Sequence, residues 1–288
     1  MIRYFIDTTK ANVLSRDTFG DKNFEVNYAA NLSNSNMDCI SFYKGDDLNF
    51  ISESAIGILI VKEDFKDKLK DVKCGCIIFS DNPMKDFAEI INARVSNDFT
   101  DKKLKSSGSN NISNFACVEK GVTIGENNII FPNAVVYKGS EIGNNCTVQS
   151  NTVIGGVGMS YAEENGRYYK LNHLGNVIIQ DNVDVGCNTT VLRGILESTV
   201  IGEGSKVGNQ CNVGHNCQIG KNCYISAGVM IGGATIVGDN SWIAPGVSIR
   251  DHITIGQNCT IGVGSVVVKD TEPNSIYYGN PAKFLRFK

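Results

Sequence analysis

The chain holds only three histidines, and one of them, His215, sits inside "CNVGHNCQIGKNC", a stretch of otherwise small, polar and branched aliphatic residues. Imidazole exchanges its proton near neutral pH, so a histidine held in such a frame suits general base chemistry. His252 follows in "RDHITIG", thirty-seven residues further on. His215 comes two places after Val213 and His252 three places after Ile249. The third histidine, His173, shares the segment "YYKLNHLG" with Lys170. Other chemistries find less support. Cys74 and Cys76 in "KCGC" form one close pair without the second cluster of a zinc site, and no metal is expected. The strained "G-x-S-x-G" elbow of serine hydrolases is absent from the sequence.

The element that must position these groups is written in a rhythm of six. Ile112, Val118, Ile124, Ile130, Val136, Ile142, Val148 and Ile154 begin it; Ile179, Val185 and Val191 resume it. After a second break it runs from Ile201 to Val267 without a miss, giving twenty-three positions that are all Ile or Val. Neither an amphipathic helix nor an alternating strand has this period, so the pattern marks an internal repeat. Four places after the rhythm residue the side chain is often small: Ala134, Ser140, Cys146, Cys211, Cys217, Cys223, Cys259 and Ser265. Those cysteines are expected to be interior packing residues. The breaks are "GGVGMSYAEENGRYYKLNHLGNVI" and "LRGILESTV", excursions of the kind that build binding walls at solenoid corners.

Residues 1–100 are organised differently. "AIGILIVKEDF" and "CGCIIFSDN" read as buried strands, and "PMKDFAEIINARV" as a helix opened by Pro83. The polar run 101–111 reads as a linker, 112–270 as the repeat and 271–288 as a closing segment. A net charge of −3, from 27 basic and 30 acidic residues, gives no general attraction to nucleic acid or anionic membrane. The opening "MIRYFIDTTK" lacks the apolar core of a signal peptide, and no run approaches the roughly 18 apolar residues of a spanning helix. A cytoplasmic protein with no stable membrane insertion is expected.

The six-residue rhythm resembles the hexapeptide-repeat acyltransferases. That resemblance implies a left-handed parallel β-helix with a small N-terminal α/β domain, assembled as a homotrimer. Three hexapeptides then make one coil, so His215 and His252 lie two coils plus one residue apart, roughly 10 Å at ~4.8 Å per strand. From "NTVIGG" to "TVIGEGSKVGNQCNVGHNCQIG" the chain resembles the N-acyltransferase family of lipid A biosynthesis and its acetyl-transferring relatives, which act on nucleotide-linked amino sugars. "DCISFYKGDDLNFI" and "DNPMKDFAEI" extend the match into the amino domain.

Carried onto this sequence, the resemblance implies that His215 in "GHN" is the general base. Gly233 in "MIGGATIVG" directs its N–H at the thioester oxygen, and His252 contacts substrate. Lys170 and His173 frame the substrate pocket, and Phe42 contacts the nucleotide, UDP or dTDP. Where the family carries acidic residues near its histidine this chain has Gly208 and Leu192, which leaves Asn209, Asn212 or a backbone carbonyl to orient the ring. The ending "YYGNPAKFLRFK" resembles acetyl-CoA-dependent members. Lys283 and Arg286 then meet the CoA phosphates, and no helical extension for acyl carrier protein follows. The expected activity is N-acetyl transfer from acetyl-CoA to a nucleotide-linked amino sugar for surface glycan or lipopolysaccharide biosynthesis. The alternatives are a longer acyl-CoA or acyl carrier protein donor, and a noncatalytic β-helix scaffold.

Overall fold

The computed structural model describes residues 4–10, 14, 16–47, 51, 55–69, 72–94 and 109–288. Most of the 101–111 linker, residues 101–108, lies outside them. The chain divides into two compact units, one of Met1–Asn97 with Met159–Leu174 and the other of Asp98–Gly158 with Gly175–Lys288.

In the first unit, six strands form one mixed sheet. They are β1 (Tyr4–Lys10), β2 (Thr18–Gly20), β3 (Glu25–Ala29), β4 (Cys39–Phe42), β5 (Ile56–Lys62) and β6 (Cys74–Ser80), in the order β1-β3-β4-β5-β6-β2. β5 is buried from Ile56 to Val61, as the continuous apolar run requires of a central parallel strand. Helix α1 (Pro83–Arg94) starts where the sequence indicates. Asn82 caps it by accepting the Lys85 N–H at 3.2 Å, and Pro83 occupies the first helical position, where no N–H is needed. Phe87, Ala88, Ile90 and Ile91 form its buried stripe. Asp86, in the first turn and 1% exposed, is held by both nitrogens of an Arg16 fork at 2.9 and 3.1 Å. Burial pushes the Cys74 and Cys76 thiols up to about 12 and about 11.

The longer excursion is a β-hairpin, Tyr161–Glu164 against Arg167–Lys170, and it belongs to this first unit. Asn165 and Gly166 both take positive φ at its tip, the geometry an Asn-Gly turn supplies. The polar face of α1 carries it. Asn82 and Asn92 donate side-chain N–H groups to the Glu163 and Lys170 carbonyls at 3.1 and 2.6 Å, and Lys85 pairs with Glu164 at 2.6 Å.

The second unit is a left-handed parallel β-solenoid whose strands stack into three sheets. Val136 pairs with Ile154, Ile154 with Val191, and Val191 with Val213, so the core ladder continues across both excursions, with one irregularity between Ile154 and Gly156. Twenty of the twenty-three rhythm residues are buried and fuse into one core; Ile112, Val118 and Ile124, in the first coil, are partly buried. Branched residues suit this core because a strand already restricts their rotamers.

The small interior position does more than pack. Cys211 and Cys217 donate their thiols to the carbonyls of Ser226 and Gly232, each at 3.1 Å, and Thr152, Thr189 and Ser241 donate hydroxyls in the same manner at 2.6, 2.7 and 2.9 Å. These donors satisfy corner carbonyls that the strands do not reach. Burial raises the Cys217 thiol to about 12. Iodoacetamide at neutral pH should therefore modify exposed Cys117 and spare Cys146, Cys211, Cys217, Cys223 and Cys259 until the chain is denatured, as read by peptide mass spectrometry. Rapid labelling of Cys217 in the folded protein would contradict the interior assignment.

Each coil turns its corners through residues of positive φ three places after a rhythm residue. Asn and Gly fill most of these, because their left-handed conformation costs least, but Gln210, Ala234 and His252 also occupy them. The chain closes with a hairpin of Ser275–Tyr278 and Lys283–Phe287 added to one sheet. Among the described residues no helix is long and apolar enough to cross a membrane.

Candidate functional site

His215 leaves the strand Asn212–Val213 at a corner, half-buried, and the register of Val213 with Ile231 places Gly233 one coil along. The His215 carbonyl accepts the Ala234 N–H at 2.7 Å, which fixes the two corners against each other. The ring stands over Gly233: a Cβ there would lie 2.6 Å from both Cε1 and Nε2 of the imidazole. Only glycine leaves room for the ring. Among the described residues, the Gly233 N–H enters no backbone hydrogen bond.

Nδ1 of His215 lies 3.0 Å from Oδ1 of Asn216, the next residue, which takes the left-handed corner conformation at φ 60°. The shorter excursion braces that asparagine. Ile195 donates its N–H to the same Oδ1 at 2.9 Å, and Thr199 Oγ1 accepts the Asn216 N–H at 2.8 Å. Arg193 anchors the excursion at its start by donating to the Gly155 carbonyl at 2.8 Å. Gly194 permits its tight fold, since a Cβ there would overlap the Glu197 carbonyl. Asn209, one expected orienting residue, accepts the Cys187 N–H at 2.8 Å instead. The residue beside His215 was missed because Asn at a corner position reads as turn chemistry.

His252 lies in the corner column of Asn216 and Ala234, and its N–H donates to the Gly233 carbonyl at 2.9 Å. Its side chain is 74% exposed, with Asp251 at 3.9 Å. The column of His215 and Gly233 continues to Asp251, an exposed acid that the sequence reading passed over. In the first unit, Phe42 ends β4 with its ring 4.8 Å from that of Phe87. Lys170 is exposed at the end of the hairpin. His173 is buried, with Nε2 2.9 Å from Ser160 Oγ. Lys283 and Arg286 are exposed on the closing strand. A concavity of about 550 Å³, lined by Glu141, Asn144, Asp181, Glu203 and Lys221 among others, belongs to a different corner of the solenoid and includes none of these site residues.

The solenoid matches the family model described as bacterial transferase hexapeptide (six repeats) over residues 112–156, 198–233 and 234–269. A UDP-3-O-acylglucosamine N-acyltransferase from Marinomonas sp. (strain MWYL1) is 43% identical over 77 residues, 27% of this chain and 22% of that protein. One from Pseudomonas paraeruginosa (strain DSM 24068 / PA7) is 42% identical over 82 residues, 28% of this chain and 23% of that protein. The matched region thus spans under a quarter of the length of these two relatives. A UDP-N-acetylglucosamine acyltransferase from Bacteroides fragilis 9343 shares the fold, with TM-score 0.51 and 24% identity over 64% of this chain and 74% of that one. The chain is a hexapeptide-repeat protein that resembles the UDP-3-O-acylglucosamine N-acyltransferases.

These relatives overturn the expected acetyl-CoA donor and N-acetyltransferase activity. They are named for acyl transfer, and they favour the alternative of a longer acyl-CoA or acyl carrier protein thioester. The misleading signal has a structural reason. "GNPAK" joins the two strands of the closing hairpin, with Gly279 at φ 104°, so its wording records a turn and not the length of an acyl chain.

Proposed function

We propose that the protein is an N-acyltransferase that moves an acyl chain from an acyl carrier protein or longer acyl-CoA thioester to the amine of a nucleotide-linked amino sugar. The observation that carries this reading is the His215 ring seated over Gly233, in a segment similar to N-acyltransferases. The neutral amine attacks the thioester carbonyl, and His215 removes its proton as the new C–N bond forms. The Gly233 N–H stabilises the tetrahedral oxyanion. Collapse then breaks the C–S bond, and the thiolate leaves as a thiol with the proton held by His215.

His252, exposed two coils along, is proposed to contact the sugar, and Phe42 and Lys170 to frame the nucleotide end. His173, packed against Ser160, would shape its segment from within. Lys283 and Arg286 are cations suited to the phosphates of a phosphopantetheine-bearing donor. A homotrimer is proposed as the working assembly, since stacked coils present repeated flat faces that a three-fold arrangement covers. Light scattering should give about three times 31.2 kDa.

The test is a panel of UDP- and dTDP-linked amino sugars, each incubated with acyl carrier protein and CoA thioesters of several chain lengths and read by mass spectrometry. The expected product is heavier by the acyl group, attached through an amide. If no amino sugar gains an acyl group from any thioester, the transferase reading fails and a noncatalytic scaffold replaces it.

A further inference from the structure

We infer that Asn216 is a positioning residue that holds neutral His215 in the Nδ1–H form, leaving Nε2, the nitrogen over Gly233, as the proton acceptor. The inference starts from a donor whose role is not in question. The Ile195 backbone N–H can only donate, and it lies 2.9 Å from one end of the Asn216 carboxamide. That end must therefore be the oxygen, because the NH₂ group would set two donors against each other. The same oxygen is 3.0 Å from His215 Nδ1. Facing an acceptor with no proton of its own, Nδ1 must carry the hydrogen. In a neutral imidazole the lone pair then falls on Nε2, the atom that a Cβ at Gly233 would meet at 2.6 Å.

This assigns a purpose to the break between Val191 and Ile201. The excursion brings the Ile195 N–H to the carboxamide and fixes which way it faces. The Thr199 hydroxyl, buried at 0% exposure, holds the Asn216 backbone from the other side. The arrangement also replaces the expected carboxylate by a neutral group. A carboxylate orients a histidine and stabilises its protonated form as well, whereas an amide oxygen performs chiefly the first task. His215 is thus set up to accept a proton and to release it readily to the departing thiolate. The tautomer assignment stands on geometry alone; its kinetic consequence rests on the acyl-transfer reading above.

Two variants keep the left-handed corner: Asn216→Gly and Asn216→Asp, both residue types that tolerate positive φ. Long-range ¹H–¹⁵N spectra of the full chain, with His215 signals assigned by their loss in His215→Ala, report the tautomer without any substrate. The wild-type protein should show His215 protonated at Nδ1 in its neutral form, and Asn216→Gly should lose that preference. In turnover, Asn216→Gly should lower kcat by about tenfold or more with KM little changed. Asn216→Asp should keep most of the rate at high pH but move the acidic limb of the kcat/KM profile upward by about one to two pH units. A carboxylate favours the imidazolium, so more alkaline solution is needed to free the base. His215 protonated at Nε2 in the wild-type spectrum overturns the inference, as does an unaltered tautomer in Asn216→Gly. If the spectra agree but His215→Ala turns over normally, the assignment of His215 as base fails while the tautomer assignment survives; if no amino sugar gains an acyl group from any thioester, the acyl-transfer reading fails.

Discussion

His215→Ala is expected to lower kcat by roughly 10²-fold or more at saturating substrate, with the solenoid intact. In the proposed reaction the amine of an amino sugar sheds a proton as it attacks the thioester, and that proton transfer is assigned to the one imidazole that sits beside Asn216 and over Gly233. Structural damage should be small. His215 is half-buried at a corner, outside the column of Val213 and Ile231 that fills the core. An unchanged melting temperature with depressed turnover is therefore the predicted pair of results. Near-wild-type turnover, measured where chemistry limits the rate, would remove His215 from the reaction.

Gly233→Ala should be nearly as damaging through a single methyl group. The Cβ would lie 2.6 Å from Cε1 and Nε2 of His215, far inside contact distance, so the ring must move. Its retreat breaks the Nδ1 contact to Asn216 or turns Nε2 away from the attacking amine. The backbone at Gly233 does not adopt the left-handed region, so alanine fits the local chain and the effect falls on the ring. A loss of about 10²- to 10³-fold in kcat/KM is expected. A double-mutant cycle then separates two roles for the glycine. If it chiefly makes room for His215, adding Gly233→Ala to His215→Ala should cost little more, because the ring that would clash is gone. A further large loss in the double variant would instead indicate that the methyl group disturbs the oxyanion donor or the acyl chain directly. Full activity in the single variant would sink the proposed stacking of base and glycine.

The solenoid was legible because its physics is periodic. One branched residue in six must enter the core, and every such residue from Ile130 to Val267 does. The placing of His215 and Gly233 in one column follows from the same eighteen-residue coil, although the resemblance and not the period singled out Gly233. Asn216 was hidden because its side chain does two things at one place: it belongs to a corner that favours asparagine, and it also receives a bond from Ile195, which no period announces. The amino unit was read in part. β5, β6 and α1 carry strong apolar patterns, whereas β2 is only three residues long and half exposed. The hairpin at Tyr161–Lys170 did carry a signal, Asn165-Gly166, that was outweighed by its position inside a solenoid break. Lys283 and Arg286, expected only within a closing segment, lie on the strand Lys283–Phe287, and the acetyl-CoA donor drawn from their neighbourhood is overturned.

The stacking of one coil on the next also dictates how the solenoid should come apart. Most of its long-range hydrogen bonds join residues one coil apart, such as Gly214 N–H to the Ile231 carbonyl and Met230 N–H to the Val247 carbonyl. Each coil therefore draws its stability from two neighbours and a terminal coil from one, which makes the fold close to a one-dimensional chain of coupled units. Opening should begin at the end of the three sheets where the core is thinnest, at Ile112, Val118 and Ile124. Amide exchange would then be graded by height, fastest in that first coil and slowest around Val207–Ile243, and a core substitution would shorten protection times nearby while leaving distant coils almost unaffected.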